Sequence, residues 1–167
     1  MHAEQETTNV EVRPATADDA QMIGAVFDAA VRAGWTFLGE LAETPMFSPE
    51  DWDELIAEHA APKVLLVATD RAGRVIGYTA THPDDCEMSL LFVHPDHGRR
   101  GVGRTLLNAA HDALRVAGCT QAHLFVHEQN QRALRVYASA GYRPDGTARD
   151  SDFRGVAIRQ LRLVAQL

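Results

Sequence analysis

The 167-residue chain has few cysteines, no long apolar run and no excess of basic charge. Two isolated cysteines, Cys86 and Cys119, are too few for a disulfide framework, so we expect reduced thiols, packed as small core residues in a cytoplasmic protein. The absence of an apolar run of about 18 residues and of a signal-peptide pattern gives no indication of a membrane span or of export. A formal net charge of −7 argues against a nucleic-acid or membrane-surface binder, because both of those partners are polyanionic.

The residues that are present have the composition of an ordinary globular protein. Hydrophobic residues make up 46% and charged residues 23% of the chain. A chain of 167 residues is long enough to bury a core without a metal or disulfide framework. The first nine residues are polar and partly acidic, and we expect them to form a loose tail. Residues 10–167 contain no repeat, low-complexity segment or linker, and we expect them to form a single domain.

Hydrophobic periodicity predicts an α+β protein. In chain order the predicted elements are a strand at 10–13, a helix ending near 34, a loop at 35–47 that can include a helical turn, and a helix that Ser48 caps and Pro49 begins. Strands at 64–69, 75–81 and 87–93 follow, then a helix at 103–117, a strand at 121–127, a helix at 131–140 and strands at 147–153 and 156–163. The strand at 87–93 is nearly all apolar in its second half, so we expect it near the centre of the sheet.

Residues 91–107 form the most informative segment. An apolar strand stops at Pro95, passes through three glycines and two adjacent arginines, and restarts as a helix. Glycines let the main chain approach an anion closely, and the free N–H groups at a helix start can hold phosphate. A tight turn without any ligand also explains the glycines. Arg99, Arg100 and Arg104 favour an anion site, because they concentrate positive charge within an acidic chain.

A second pattern starts at Asn130, which lies where a strand gives way to a helix and is a good N-cap. Ala133 and Tyr137 follow three and seven residues later, so all three lie on one face of the helix. The small alanine leaves room for a ligand against that face. A capping asparagine and a half-buried core tyrosine would explain the same residues without a ligand.

Together, the turn Arg99–Gly103 and the segment Asn130–Tyr142 resemble the GNAT superfamily of acyl-CoA-dependent N-acyltransferases. The predicted element order matches that fold from residue 10 to residue 163. The resemblance implies a three-layer α+β fold, with a mixed and mostly antiparallel central sheet flanked by helices, in which two strands splay apart to hold the cofactor. It implies acetyl-CoA as co-substrate, no metal, a small-molecule amine as acceptor, and an enzyme that can form a homodimer.

The resemblance also implies a set of cofactor contacts. Main-chain groups of Phe92 and Val93 would contact the pantetheine arm, and Asn130 would hydrogen-bond it. Gly98 stands where the family usually has Gln or Arg, a loss for which Arg99 is the expected substitute. The residues implied at the pyrophosphate are Arg99, Arg100, Gly101, Val102, Gly103, Arg104 and Thr105.

An amine acceptor adds a chemical requirement. An alkyl amine with a pKa of about 10.4 is protonated at pH 7, and only about 1 molecule in 2,500 is nucleophilic, so a general base or a water chain that accepts the proton is needed. By resemblance, Glu87 is the first candidate for the base and is expected at the open end of its strand, with Glu128 and His127 in reserve. Tyr137 would protonate the departing thiolate, and a main-chain N–H near Val93 would stabilise the oxyanion.

Two other ligand classes fit parts of the sequence less well. Gly98–Thr105 is one residue from a Walker A loop, but an arginine replaces the lysine and the loop follows at least three strands. His94 with His97, or His123 with His127, would be metal-ligand pairs. The second pair lies about 13 Å apart along a strand, too far for one ion.

The acceptor itself stays open. Residues 33–62 contain no lysine or arginine but several acidic residues, which form either a solvated helix face or a rim that attracts a cationic substrate. Trp35, Phe37, Phe47 and Trp52 are candidate pocket residues, although each also suits a core. An antibiotic, a polyamine, an amino acid or a peptide N-terminus all fit. A domain that binds acyl-CoA without catalysis is the alternative from another class, against which Tyr137 and a nearby carboxylate argue.

Overall fold

The structure, a computed structural model, describes residues 10–167, and the predicted tail at residues 1–9 lies outside that range. Short 3-10 turns connect several of its helices and strands. The elements are β1 (Glu11–Pro14), α1 (Ala20–Gly34), α2 (Pro49–Glu58), β2 (Val64–Thr69), β3 (Val75–His82), β4 (Glu87–Val93), α3 (Val102–Val116), β5 (Gln121–His127), α4 (Gln131–Ser139), β6 (Arg143–Phe153) and β7 (Val156–Gln166).

The seven strands form one sheet in the order β1-β2-β3-β4-β5-β7-β6. Every neighbouring pair is antiparallel except β4 and β5, which run parallel. The predicted α+β fold with a mixed, mostly antiparallel sheet is therefore confirmed. None of the helices between residues 10 and 167 has the length and apolar character that a bilayer crossing requires.

Helices cover both faces of the sheet, because alternate side chains of a strand point to opposite sides. Leu90 and Phe92 of β4 pack into the cluster under α1 and α2. Leu91 and Val93 pack on the other side, against the start of α3. The end of β4 thus contributes side chains to both layers.

Two segments differ from the sequence prediction. β6 begins at Arg143, four residues before the predicted start at 147. The prediction started the strand too late because Pro144 and Gly146 are typical of a turn. The strand accommodates them as an irregularity in its pairing with β7, between Pro144 and Ala148. The predicted loop at 35–47 contains two 3-10 turns that meet at Gly39, whose φ is 58°.

The parallel strands β4 and β5 are paired at a single position, Glu87 with His123. By contrast, β3 pairs with β4 at six positions, including Val93 at the end of β4. The two parallel strands consequently diverge toward their carboxyl ends. This is the predicted splay, and it opens the sheet at its centre.

The prediction of reduced thiols is wrong, because Cys86 and Cys119 form a disulfide. Each cysteine lies shortly before one of the parallel strands, and strands that start side by side bring the residues before them together, with Cα atoms 5.8 Å apart. The His123 N–H donates to the Cys86 carbonyl at 3.0 Å and holds the same junction. The two cysteines are therefore no evidence that the protein is in a reducing compartment.

We expect the disulfide to stabilise the protein by restricting the unfolded chain. For a closed loop of 33 residues the chain-entropy model gives about 3–4 kcal/mol. The double variant Cys86→Ser/Cys119→Ser should therefore unfold at a clearly lower urea concentration than the oxidised protein. Reductant should lower the midpoint of the wild type and leave that of the variant unchanged. Equal midpoints for the variant and the oxidised wild type would contradict this assignment.

Candidate active site

The turn between β4 and α3 presents main-chain N–H groups at a helix N-terminus. Gly101 has a φ of 85° and Arg99 a φ of 61°, a left-handed region that suits glycine and is uncommon for arginine. The Thr105 N–H donates to the Gly101 carbonyl at 2.9 Å. The N–H groups of residues 102–104 precede this bond and have no partner within the helix, so they lie at its positive end.

The last residues of β4 present further main-chain groups to the opening between the parallel strands. The His94 N–H donates to the Ile76 carbonyl on β3 at 2.9 Å. Because N–H directions alternate along a strand, those of Leu91 and Val93 point to the opposite side, from which β5 has diverged. The main-chain N–H and C=O groups of Phe92 are directed toward β3. Only the ring of Phe92 is therefore available to line the opening.

A cavity of about 370 Å³ lies along this opening, between the ends of α1 and β4, the turn after β4, and α4. We name it the basic cleft, because Arg99, Arg104 and Arg132 line it and no acidic residue between positions 10 and 167 does. Most of the predicted site residues lie in its wall: Phe92, Val93, Arg99, Gly101, Gly103, Arg104, Asn130 and Tyr137.

Four predicted site residues do not line the basic cleft with their side chains. Val102 is buried in the core beneath β3, and the Thr105 hydroxyl donates to the Gly101 carbonyl at 3.1 Å. Arg100 is exposed. Glu87 lies at the opposite end of β4. Of these, Val102 belongs to the helix start and can contribute its main-chain N–H.

Glu87 is at the paired end of β4, not at the open end where the sequence analysis expected it. It is flanked by His82 on β3 and His123 on β5. Six residues separate it from Val93, which is about 20 Å along a strand. A water chain would have to carry a proton between Glu87 and the basic cleft.

Arg132 is a residue of the basic cleft that the sequence analysis missed. Gly98 makes room for it, since a Cβ at position 98 would lie 2.7 Å from the Nη2 atom of Arg132. The guanidinium group of Arg132 on α4 thus occupies the space that a side chain at position 98 would fill. A cation two residues after the Asn130 cap is the sequence signal that would have identified it.

The start of α4 has the predicted geometry. The Asn130 Oδ1 accepts the Ala133 N–H at 3.1 Å, which caps the helix and leaves the side-chain amide N–H groups available to a ligand. One and two turns further on, Ala133 and Tyr137 line the same wall. A ligand in the basic cleft can therefore contact all three residues.

Tyr137 is buried, and burial raises the pKa of its phenol. The hydroxyl therefore stays protonated at neutral pH and is a proton donor, not a base. Its ring meets the edge of Tyr142 with centroids 5.8 Å apart. Tyr142 is in turn bonded through its hydroxyl to the Nε2 atom of His111 at 2.8 Å, and burial lowers the pKa of that histidine. This buried pair holds the wall against which Tyr137 packs.

A second cavity, of about 380 Å³, lies on the other side of Phe92 beneath α1 and α2. We name it the aromatic cavity. Trp35 and Phe92 line both cavities, so the two spaces meet at these rings. Of the candidate pocket residues, Trp35, Phe47 and Trp52 line the aromatic cavity, whereas Phe37 stacks on His127 with ring centroids 3.8 Å apart.

The two reserve bases lie outside both cavities. The His127 Nδ1 accepts the Gln129 N–H at 3.0 Å, and burial lowers the pKa of this imidazole. A neutral imidazole has one acceptor nitrogen, which is already used here. Glu128 is exposed. Within residues 10–167, no group of three or more His, Cys, Asp or Glu side chains could hold a metal ion.

Comparison with known sequences points to one family. The model of the acetyltransferase (GNAT) family matches residues 31–142. Phosphinothricin N-acetyltransferase from Streptomyces coelicolor is 28% identical over 155 residues, which cover 86% of this chain and 88% of that protein. A mycothiol acetyltransferase from Clavibacter michiganensis subsp. michiganensis is 35% identical over 96 residues, which cover 56% of this chain and only 31% of that protein.

Comparison with solved structures shows the same fold. A GCN5-related N-acetyltransferase from Rhodopseudomonas palustris superposes with a TM-score of 0.74 at 23% identity, over 94% of this chain and 95% of that one. The structure of yncA from Salmonella typhimurium with its cofactor acetyl-CoA gives a TM-score of 0.72 at 20% identity, over 95% of this chain and 94% of that one. The likeness extends over nearly the whole chain.

Proposed function

This chain belongs to the acetyltransferase (GNAT) family, and we propose that it transfers the acetyl group of acetyl-CoA to the primary amine of a small molecule. The amine would attack directly in a ternary complex, without an acyl-enzyme intermediate. One observation carries the proposal: the unpaired N–H groups at the end of β4, those at the start of α3, and Tyr137 all border one basic cleft. A relative named for N-acetylation of the small molecule phosphinothricin supports it.

The basic cleft fits the chemistry of acetyl-CoA. The pyrophosphate would lie at the N-terminus of α3, where the N–H groups of residues 102–104 and the guanidinium groups of Arg99, Arg104 and Arg132 offer donors and positive charge. The amide-containing pantetheine arm would run along β4 in place of a paired strand, with Val93 as a main-chain partner. Asn130 would bond the arm from the opposite wall.

Acetyl-CoA supplies an activated acyl thioester, and the residues of the chain arrange its transfer. A main-chain N–H of β4, from Leu91 or Val93, can donate to the carbonyl oxygen as negative charge develops there. Tyr137 holds a proton that it can deliver to the departing sulfur. We propose that Glu87 accepts the proton of the amine through water, since no acidic side chain of the described part of the chain lines the basic cleft itself.

Titration calorimetry with coenzyme A tests the site directly. We expect saturable binding to the wild type and affinity about 3- to 10-fold weaker in Arg132→Ala, because the variant loses a charge-assisted contact to phosphate at an exposed position. Arg135→Ala is the matched control, since Arg135 lies one turn further along α4, is exposed, and lines no described cavity. An equal effect of both variants would contradict the placement of the phosphates. Absence of binding to the wild type would contradict the proposed function.

Tyr137→Phe should reduce kcat by about 10²-fold or more, which is the usual size of a general acid's contribution. Its dissociation constant for acetyl-CoA should stay within about twofold of the wild type, because the ring that packs on Tyr142 is retained. Steady-state kinetics and calorimetry measure the two quantities. A variant that binds acetyl-CoA weakly but turns over normally when saturated would make Tyr137 a binding residue.

Glu87→Gln should lower kcat/KM for the amine and change the dependence of the rate on pH, because the variant cannot accept a proton at this position. Glu128→Gln is the control at the end of the neighbouring strand. Rates measured between pH 6 and 9 with saturating acetyl-CoA give the comparison. If Glu87→Gln keeps the rate and pH profile of the wild type, Glu87 has no role as the base.

A further inference from the structure

We infer that the acceptor is a primary amine with an apolar, ring-sized body and no anionic group, and that it occupies the aromatic cavity. This inference rests on the proposed function, because it assigns the acceptor of the same transfer. Four features of the aromatic cavity support it: its rings, its charge, one unbonded hydroxyl, and its junction with the basic cleft.

Aromatic rings form the inner wall of the aromatic cavity. Phe27 lies at their centre, with ring centroids 5.3 Å from Phe47, 5.2 Å from Trp52 and 5.0 Å from Phe92. Among the residues that the structure describes, no lysine or arginine lines the cavity. A volume of about 380 Å³ is at the lower end of the range for small-molecule sites, and such walls favour an apolar ligand body.

The solvent side of the aromatic cavity is negatively charged. Asp51, Glu54 and Glu58 line it from α2, at the spacing that places residues on one helix face. Asp51 is engaged in capping, since it accepts the Ser48 N–H at 2.6 Å. Glu54 and Glu58 are exposed and, among residues 10–167, have no cationic partner within 4.0 Å. These two carboxylates would attract an ammonium group and repel an acceptor that carries a carboxylate or phosphinate.

Tyr78 supplies an independent sign of a ligand. Its side chain is fully buried and lines the aromatic cavity, and its hydroxyl has no hydrogen-bond partner among the described residues. A buried hydroxyl without a partner costs about 1–3 kcal/mol. Because the hydroxyl is fully buried, side chains that line the cavity have to move before the nitrogen of an amine can bond it. Burial also raises the pKa of this phenol, which therefore stays neutral.

Phe92, the neighbour of Tyr78, links the aromatic cavity to the basic cleft. Tyr78 is paired with Phe92 across β3 and β4, and their rings stack with centroids 5.5 Å apart. Phe92 is also one of the two residues that line both cavities. An amine nitrogen that lies beside Phe92 is therefore close to the junction, while the ligand body contacts the rings around Phe27.

The experiment compares acceptors that differ in charge, with thiol release from acetyl-CoA as the assay. Phenylalanine is 2-phenylethylamine with a carboxylate added, and phosphinothricin and spermidine test an anionic and a purely polycationic acceptor. We expect kcat/KM for 2-phenylethylamine to exceed that for phenylalanine by about 100-fold or more, and to exceed those for the other two. Preference for phenylalanine, phosphinothricin or spermidine would overturn the inference and leave acetyl transfer intact. Failure of all four amines, with acetyl-CoA bound, would overturn both.

Variants of the acidic wall test the charge argument. Glu54→Lys should narrow the ratio of kcat/KM between 2-phenylethylamine and phenylalanine at least about 10-fold, because the repulsion of the carboxylate is replaced by attraction. Glu40→Lys, at an exposed position of the same acidic segment outside the cavity, should leave the ratio unchanged. Both variants should bind coenzyme A like the wild type. An unchanged ratio in Glu54→Lys would overturn the inference.

Discussion

The site depends on how little the two parallel strands are paired. A single position joins β4 to β5, and beyond it the strands separate within an otherwise continuous sheet. Buried backbone N–H and C=O groups require hydrogen-bond partners. Where the sheet opens at its centre, the groups of β4 that face β5 need partners from elsewhere. β3 satisfies one side of β4 along its length. The other side is where a ligand with amide groups of its own can take the place of a strand.

The strands β4 and β5 are held together where they begin, and this determines where the opening between them lies. The disulfide between Cys86 and Cys119 and the hydrogen bond from His123 to the Cys86 carbonyl hold the strand origins together. At the other end, β4 passes directly into the turn that starts α3. Main-chain donors of the strand and of the helix N-terminus therefore border one continuous basic cleft.

Charge divides the site into two parts. Arginines line the basic cleft, carboxylates line the aromatic cavity, and Trp35 and Phe92 lie between them. Opposite charges concentrate different ligands on the two sides. In the proposed reaction an anionic thioester and a cationic amine approach from opposite faces of the sheet. They would meet at the junction that Trp35 and Phe92 line.

Local patterns predicted the parts of the site that lie close together in sequence. The turn at Arg99–Gly103 and the helix face from Asn130 to Tyr137 depend on spacing along one segment. Arg99, Gly101 and Gly103 of the turn line the basic cleft, and so does that helix face. Features that depend on tertiary packing were missed. The disulfide joins residues 33 positions apart, and Arg132 reaches the turn only because Gly98 leaves space for it.

The environment of Glu87 also depends on tertiary structure that the sequence does not show. Its sequence position correctly placed it at the start of β4, but which end of the strand is open follows from the pairing of β4 with β5, a contact between distant segments. The main chain and the side chain of Phe92 also have different positions, which the sequence analysis did not distinguish. Its main chain faces β3, and its ring separates the two cavities.

Hydrogen exchange of the backbone amides, with and without acetyl-CoA, tests most directly whether the open side of β4 and the start of α3 are the ligand's partners. We predict slower exchange for Leu91, Val93 and residues 102–104 in the presence of acetyl-CoA, and unchanged exchange in β2. Protection confined to other segments, or no change at residues 91–104 under saturating acetyl-CoA, would contradict the account.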